Sequence, residues 1–183
     1  HYSHLVRGEL PLQEVDVRRL IEELIAGFPD LQAARKNIRI EAPLPPVFAN
    51  PAALTKVISN LLTNAVKFVA PGKTPHVRIW AEDQGPCVRL SFKDDGIGIP
   101  LKAQQKIFGL FQRLHPADSY DGTGIGLAIV KKATERMGGQ VGLESEPGKG
   151  SHFWVTLKSV PSATNPEQGG EIESHTSMGA SLS

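Results

Sequence analysis

Two asparagines and a lysine recur at helical spacing after Asn50, and these side chains could hold a metal ion and a phosphate. Asn60, Asn64 and Lys67 share one side of a helix, beside an apolar stripe. Amide oxygens suit a hard cation such as Mg²⁺, and a lysine suits a phosphate. Asparagine lowers helix stability by about 0.5 kcal/mol relative to alanine, so two of them one turn apart suggest a wall that faces a ligand. A solvated polar face is the alternative.

A second group of residues that could take part in chemistry is a carboxylate followed by two glycines. Asp94, Gly96 and Gly98 come directly after a run of alternating apolar residues. Glycines at the end of a strand let the backbone turn sharply and approach a flat ligand closely. The Asp94 carboxylate could then accept a hydrogen bond from an exocyclic amine. The alternative is an ordinary turn, because Asp-Gly pairs are common in loops.

A third group is glycine-rich and opens a helix. Gly122, Thr123, Gly124 and Gly126 precede a helical run that starts near Leu127. Backbone N–H groups at the start of a helix bind anions, helped by the helix dipole. The segment is not a Walker A loop, because no Gly-Lys-Ser/Thr ends it, and no strand precedes it as in a dinucleotide fingerprint. It predicts a glycine-hinged lid over phosphates or, alternatively, a plain flexible loop.

The elements that must position these groups are of both types. Apolar residues at helical spacing predict helices over residues 17–28, 51–68, 101–111 and 127–137. Alternating residues predict strands over residues 38–41, 77–81, 88–92, 141–145 and 151–157. The order is neither strict βαβ alternation nor all-helical. It therefore predicts an α+β sandwich, in which helices lie on one face of a mixed, largely antiparallel sheet.

Composition describes one soluble globular unit and excludes several classes of function. The 183 residues are 40% hydrophobic and carry a formal net charge of +1, so nothing pulls the whole chain toward nucleic acid or an anionic membrane. The single cysteine, Cys87, excludes an internal disulfide. No apolar run approaches the roughly 20 residues that a membrane-spanning helix needs. We expect no nucleic-acid partner and no direct membrane contact.

Four segments, taken in order, resemble the motifs of sensor histidine kinases. Residues 60–68, Asn-Leu-Leu-Thr-Asn-Ala-Val-Lys-Phe, are similar to the N box, and residues 94–99, Asp-Asp-Gly-Ile-Gly-Ile, to the first glycine box. Residues 107–113, Ile-Phe-Gly-Leu-Phe-Gln-Arg, are similar to the F box, and residues 122–127 to the second glycine box. Residues 145–157 resemble the closing hairpin. The similarity covers residues 17–158, and four motifs in family order are far more specific than each alone.

The resemblance implies the Bergerat ATP-binding fold, with ATP and Mg²⁺ as cofactors. In that fold Asp94 binds the adenine amino group, and Phe68, Gly96 and Gly98 line the base pocket. Phe108 and Phe111 would anchor a lid over the nucleotide or simply serve as core aromatics.

By the same resemblance, the phosphates and the metal ion lie against the N box. Asn60 holds Mg²⁺, Asn64 and Lys67 contact the phosphates, and residues 122–127 close over them. The reaction transfers the γ-phosphoryl group of ATP to a histidine imidazole, with Asn60 and Lys67 as the catalytic residues. A neutral imidazole is already nucleophilic near pH 7, so the domain mainly positions the triphosphate and neutralises its charge.

Two departures from related families refine this hypothesis. Hydrolytic relatives carry a glutamate one turn before the first asparagine, where it activates water, whereas this sequence has Lys56. This difference argues against an ATP-hydrolysing machine. The chain also lacks a histidine followed by an acidic residue in an amphipathic helix, so the target histidine is expected upstream, on a dimerisation domain of the same parent. The alternative function is a nucleotide-binding sensor or scaffold without phosphotransfer.

The predicted domain organisation has three parts. Residues 1–16 are expected to form a linker or the end of a preceding dimerisation helix, and residues 17–160 the ATP-binding catalytic domain. Residues 161–183, rich in Ser, Gly and Glu, are expected to be a disordered tail. The first residue is His1 rather than methionine, so we expect a fragment of a longer protein. Its expected setting is two-component signal transduction in the cytoplasm, with a response regulator downstream.

Overall fold

The computed structural model describes residues 10–110 and 123–161. The strands found there are β1 Gln13–Val15, β2 Ile38–Ile40, β3 Val47–Ala49, β4 Val77–Asp83, β5 Cys87–Asp94, β6 Val141–Glu146 and β7 Gly150–Ser159. The α-helices are α1 Val17–Gly27, α2 Pro29–Ala33, α3 Pro51–Lys67, α4 Leu101–Gln104 and α5 Gly126–Arg136, and a 3-10 helix spans Arg35–Asn37. The predicted α+β class is confirmed.

The strands form one mixed sheet in which β7 makes the most connections. The order along the sheet is β1-β3-β7-β5-β4-β2, and β6 also pairs with β7. The long ladders β4–β5 and β5–β7 are antiparallel. The pair β2–β4 is parallel. The predicted mixed, largely antiparallel sheet is therefore confirmed.

The helices cover one face of this sheet and bury its apolar side chains. Alternate residues of β5, namely Val88, Leu90 and Phe92, point into the core and are almost fully buried. Leu61 and Leu62 of α3 lie in the same core, at 1% and 0% exposure. Each such burial stabilises the fold by about 1.5–3 kcal/mol. The layers are thus held together by one apolar interface.

Helix α3 begins and ends where the sequence predicts. The side chain of Asn50 accepts a hydrogen bond from the backbone N–H of Ala53 at 3.0 Å, and Pro51 occupies the first turn. The helix ends at Lys67, and the N–H of the C-cap residue Phe68 donates to the carbonyl oxygen of Asn64. This fixed length places the polar side of the helix beside the end of β5.

Two short strands of the structure, β1 and β3, are not predicted from the sequence. Gln13–Val15 pairs with Val47–Ala49, although residues 1–16 are expected to form a linker or the end of a helix and no strand is predicted near residue 47. A three-residue strand carries too little alternation to be recognised, and its pairing depends on a partner distant in sequence. The sheet therefore starts before the predicted domain boundary at Val17, and that boundary stays a prediction.

The predicted helix over residues 101–111 is shorter than expected. α4 ends at Gln104, and the residues from there to Leu110 form turns and bends. The N-cap residue of α4, Pro100, makes no side-chain capping hydrogen bond, and Gly109 disfavours helix further along the segment. Residue 111 and the tail from residue 162 onward lie outside the described residues.

Within residues 10–110 and 123–161, none of the helices has both the length and the apolar character needed to cross a lipid bilayer.

Candidate functional site

Three of the segments singled out in the sequence meet at one end of the core. The carbonyl oxygen of Phe68, at the end of α3, accepts a hydrogen bond at 2.9 Å from the N–H of Ile97 in the loop after β5. The first residue of α5, Gly126, lies against the side chain of Asn60 on α3. The N box, the first glycine box and the described part of the second glycine box are therefore neighbours in space.

Asp94, the last residue of β5, is held by two backbone donors. Its Oδ1 atom accepts hydrogen bonds from the N–H of Gly96 at 2.9 Å and of Ser151 at 3.1 Å. Burial raises the pKa of Asp94 to about 6, the two backbone N–H groups oppose that rise, and the charge of Asp95 adds to it. Among the described residues no hydrogen bond reaches Oδ2. One oxygen of a largely buried carboxylate is therefore free to accept from a ligand.

Gly96 is in backbone contact with the C-terminal end of α3. A Cβ atom on Gly96 would collide with the carbonyl oxygen of Phe68, so only glycine allows this approach. The ammonium group of Lys67 lies 5.2 Å from the centroid of the Phe68 ring. Asn64 and Lys67 are both half-buried. Gly96 and the backbone of Phe68 therefore lie beside Asp94, and Asn64 and Lys67 occupy the last turn of the same helix.

Gly98 is required for a different contact. Its φ angle is +70°, and a Cβ atom would overlap the carbonyl oxygen of Glu146 at the end of β6. The preceding carbonyl oxygen, of Ile97, accepts a hydrogen bond from the N–H of Gly148 at 2.8 Å. The loop after β5 is therefore packed against the turn between β6 and β7. This packing alone explains why residue 98 is a glycine. The expected role of Gly98 in the base pocket stays a prediction.

Replacing Gly98 by alanine should lower the free energy of unfolding by about 3 kcal/mol. The left-handed φ costs alanine about 1–2 kcal/mol, and overlap with Glu146 adds a similar amount. Gly72→Ala is the matched control, because Gly72 has φ +78° but no heavy atom within 4 Å of an added Cβ atom. Urea denaturation of both variants measures the difference. Equal losses would show that the contact with Glu146 contributes nothing.

Asn60 projects from α3 toward the N-terminus of α5. Its amide nitrogen donates to the carbonyl oxygen of Lys56 at 2.7 Å, which turns Oδ1 toward α5. A Cβ atom on Gly126 would lie 2.5 Å from that Oδ1, so glycine at this position lets the amide oxygen approach. The N-cap residue of the 11-residue helix α5 is Ile125, whose side chain cannot cap the first-turn N–H groups. An oriented amide oxygen and a helix N-terminus therefore face the same region.

The remaining residues expected at the site are placed as follows. Thr123 is exposed, and Gly124, with φ +70°, lies just before α5. Leu127 is half-buried and packs against the core. Gly122 lies outside the described residues. The contacts of these four residues with a ligand stay predictions.

Phe108 has the contacts of a core aromatic. It is half-buried against the core, and its ring packs edge-on against Phe153 with 6.3 Å between centroids. Two other F-box residues, Phe111 and Arg113, lie outside the described residues.

A polar network behind Asp94 escapes sequence-based reasoning. The hydroxyl oxygen of Ser145 accepts a hydrogen bond from the N–H of Ile99 and lies 2.8 Å from the hydroxyl of Ser151. The side-chain amide of Gln104 donates to the carbonyl oxygens of Ile99 and Ser145, both at 2.8 Å. These residues are separated by up to 52 positions and form no recognisable pattern. The glycine-rich turn at residues 147–150 is the one signal that this hairpin has a special shape.

Comparisons with known proteins agree with this geometry. A family model described as "Histidine kinase-, DNA gyrase B-, and HSP90-like ATPase" matches residues 49–161. The chain is 38% identical over 143 residues to the phytochrome-like protein Cph1 of Synechocystis sp., which covers 78% of this chain and 19% of Cph1. It spans about a fifth of the length of the curated relatives it matches.

Solved structures of similar fold include a sensor histidine kinase and a protein in complex with a nucleotide analogue. The mycobacterial sensor histidine kinase MprB superposes with a TM-score of 0.66 at 26% identity, covering 82% of this chain and 99% of that one. Full-length ShkA in complex with AMPPNP gives a TM-score of 0.67 at 32% identity, covering 86% of this chain and 34% of ShkA. With the family match over residues 49–161, this chain belongs to the histidine kinase-, DNA gyrase B- and HSP90-like ATPase family.

Proposed function

We propose that this chain binds Mg-ATP and transfers the γ-phosphoryl group to a histidine on a separate dimerisation domain of its parent protein. The observation that carries the proposal is Asp94, a largely buried carboxylate with one oxygen held by two backbone N–H groups and the other uncommitted. It lies at the same end of the core as Asn60 and the start of α5. The AMPPNP bound to ShkA, whose fold is similar, supports ATP as the ligand.

The base of ATP is proposed to lie between Asp94 and the end of α3. Oδ2 of Asp94 would accept a hydrogen bond from the exocyclic amine of adenine. Phe68, Gly96 and Gly98 would line this pocket, where the absence of a side chain on Gly96 keeps the loop close to the Phe68 carbonyl group. Because a buried hydrogen-bond acceptor rejects a ligand that cannot donate to it, this arrangement favours adenine over guanine.

The phosphates are proposed to lie between α3 and α5. Lys67 and Asn64 would contact them from α3, and the N–H groups at the start of α5, with Gly122, Thr123 and Gly124 before it, would hold them from the other side. Leu127 would fix the first turn of α5 through its contact with the core. Positioning of the triphosphate is then shared by two helices that are already packed together.

The donor set fits Mg²⁺. Among the described residues no group of three or more His, Cys, Asp or Glu side chains could hold a metal ion by itself. Mg²⁺ is commonly held by one or two protein oxygens together with substrate phosphates and water, and Asn60 presents one oriented amide oxygen. When bound, the ion would neutralise negative charge on the phosphate oxygens. Asn60 orients it, and Lys67 adds a positive charge near the same phosphates.

Transfer to a histidine is favoured over hydrolysis by the residue one turn before Asn60. That residue, Lys56, is exposed, and its carbonyl oxygen is used by the side chain of Asn60. A protonated lysine cannot remove a proton from an attacking water. A neutral imidazole needs no such base: its nitrogen bonds to the γ-phosphorus as the bond to the bridging oxygen breaks and ADP leaves.

Nucleotide affinity should fall as the pH drops through about 6, because protonated Asp94 loses its charged acceptor. One protonation with that pKa weakens binding about tenfold at pH 5. The pKa of Asp94 in the folded protein lies above its ordinary value of 3.8, so protonation of Asp94 stabilises the unliganded fold as the pH falls from about 6 toward 3.8. Unfolding is therefore not the cause of the expected loss of affinity. Calorimetric titration with adenosine, which has no phosphate to titrate, measures the effect. Constant affinity from pH 5 to pH 7 would contradict it.

A transfer assay tests the proposed function directly. This chain is mixed with γ-labelled ATP, Mg²⁺ and the separately prepared dimerisation domain of the parent protein. Acid-labile label on the histidine of that domain is the expected result, and a His→Gln variant of the domain is the control. Nucleotide binding without any label would favour the alternative, a nucleotide sensor or scaffold. Release of labelled inorganic phosphate without protein labelling would favour hydrolysis.

Transfer from the phosphohistidine to a response regulator, in two-component signalling, completes this proposal. It is supported by the multidomain sensor proteins among the relatives, of which this chain covers about a fifth. A cytoplasmic location is part of the same proposal, and the single cysteine is compatible with a reducing compartment.

A further inference from the structure

The two tryptophans of the sequence lie on the side of the sheet opposite the helices. Trp80 on β4 and Trp154 on β7 are both cross-strand partners of Ser91 on β5, so the three residues form one row across the sheet. Their neighbours along the strands, such as Ile79 and Phe153, point into the core. We define the open face by the side chains that share this side of β4, β5 and β7: Arg78, Trp80, Glu82, Cys87, Arg89, Ser91, Lys93, His152, Trp154, Thr156 and Lys158.

The open face is rich in positive charge. Four of its side chains, Arg78, Arg89, Lys93 and Lys158, are cationic and one, Glu82, is anionic. Arg78 is already paired with Glu41, which directly follows β2, through two hydrogen bonds. The arginines stack on the indoles. The Arg78 guanidinium lies 4.9 Å from the Trp80 ring centroid, and that of Arg89 lies 4.2 Å from the Trp154 ring centroid. Tryptophan and arginine side by side are the composition of binding hot spots in protein interfaces.

Several polar atoms of the open face are buried without a partner. Nε of Arg89, Oγ of Ser91 and Nε2 of His152 have no hydrogen-bond partner among the described residues, and Ser91 is 0% exposed. His152 stacks on Trp80 at 4.9 Å. Burial lowers the pKa of His152, the carboxylate of Glu144, 3.5 Å from Nδ1, opposes that effect, and the charges of Arg89 and Lys93 lower the pKa further. Unsatisfied buried groups are few in native proteins and call for an explanation. Of the four such atoms among the described residues, three lie on this face, which no helix of residues 10–110 and 123–161 covers.

The charge pattern identifies the kind of partner. Two copies of this chain joined face to face would bring two cationic surfaces together, which is unfavourable. A nucleic acid would place a continuous row of phosphates across Glu82 and the nearby Glu41 and Glu144, and the whole chain, with a net charge of +1, gives no general attraction to polyanions. An acidic protein segment instead offers separate carboxylates, which can pair with the cationic side chains, and apolar side chains, which can pack against the indole rings.

We propose that the open face binds an acidic protein segment, with carboxylates on Arg89 and Lys93 and apolar side chains against Trp80 and Trp154. Carboxylates bound to arginine form strong, charge-assisted hydrogen bonds. The site is separate from the proposed nucleotide site, because it lies on the opposite side of the sheet from α3 and α5.

Tryptophan emission reports on this face alone, since both tryptophans of the chain lie there. The probe is a synthetic peptide of about twelve residues that repeats Glu-Glu-Leu, and the control peptide repeats Gln-Gln-Leu. We expect a saturable change in emission with the first peptide, weakened by salt, and none with the second. Arg89→Gln should weaken binding about tenfold. Lys93→Gln, at an exposed position, should have a similar effect without uncovering an indole.

Lys36→Gln is the matched control, because it removes one positive charge from the exposed 3-10 helix and should leave peptide affinity unchanged. Unchanged ATP affinity of each variant confirms that the fold is intact. Three outcomes would overturn the proposal. These are binding of a single-stranded oligothymidylate but not of the peptide, dimerisation in ultracentrifugation that Arg89→Gln abolishes without any peptide binding, and no change in emission with any probe.

Discussion

Asp94→Asn is expected to weaken ATP binding by about a hundredfold or more while leaving the fold intact. The oxygen of the asparagine can still accept the hydrogen bonds that Gly96 and Ser151 donate to Oδ1. The atom that replaces Oδ2 is an NH₂ group, which would place a donor against the donor amine of adenine. The loss of a charge-assisted hydrogen bond and the two unpaired donors together cost about 3 kcal/mol, which corresponds to that factor.

Isothermal titration with ATP and a thermal melt, each done on both proteins, measure this effect. Asp83→Asn is the control, because it also neutralises one carboxylate but is the exposed last residue of β4, where its Oδ1 accepts from the N–H of Gly85. We expect wild-type affinity for that variant. Unchanged ATP affinity of Asp94→Asn would remove Asp94 from the base pocket, whatever its effect on the melt.

The part of the site that is local in sequence could be predicted. Asn60, Asn64 and Lys67 lie on one helix, and the N-cap Asn50 and the helical period together determine their relative placement. The position of Asp94 at the end of a strand follows equally from the alternation of apolar residues before it.

The part that depends on distant contacts could not be predicted. Ser151 donates its backbone N–H to Asp94 from 57 positions away, and a backbone donor leaves no mark on the choice of side chain. The need for glycine at position 98 cannot be predicted for a similar reason: an added Cβ atom would overlap the backbone of Glu146, 48 positions away, and the sequence does not show that this backbone approaches. Short strands such as Gln13–Val15 form only because a partner strand is already in place.

The two helices of the proposed phosphate site differ in how far their own sequences define them. Helix α3 is defined by its own sequence, whereas α5 begins at a position set by its neighbour, since Gly126 leaves room for the amide oxygen of Asn60. The orientation of that amide is fixed from within α3, by the hydrogen bond to the Lys56 carbonyl oxygen. An amide held in this way can present its oxygen without first losing rotational freedom, which favours binding of a cation.

Asn60→Ala is therefore expected to lower phosphoryl transfer to the dimerisation domain by about a hundredfold at limiting Mg²⁺. The change removes the one oriented protein oxygen proposed to hold the ion, and leaves Asp94 and the base pocket untouched. Alanine favours the helix by about 0.5 kcal/mol relative to asparagine, so the loss of activity should not come from unfolding of α3. Transfer rates measured over a range of Mg²⁺ concentrations should show that the variant needs more Mg²⁺, while its affinity for adenosine stays at the wild-type value.

Two further variants give this experiment its controls. Ser59→Ala changes the preceding residue, whose hydroxyl donates only to the Lys56 carbonyl oxygen at 3.2 Å, and should leave transfer unchanged. Asn60→Asp keeps an oxygen in place, so it should retain more transfer at high Mg²⁺ than Asn60→Ala does, because carboxylates also bind this ion. Wild-type Mg²⁺ dependence in Asn60→Ala would mean that the ion is held by phosphates and water alone, and that Gly126 is needed only for the packing of α5 against α3.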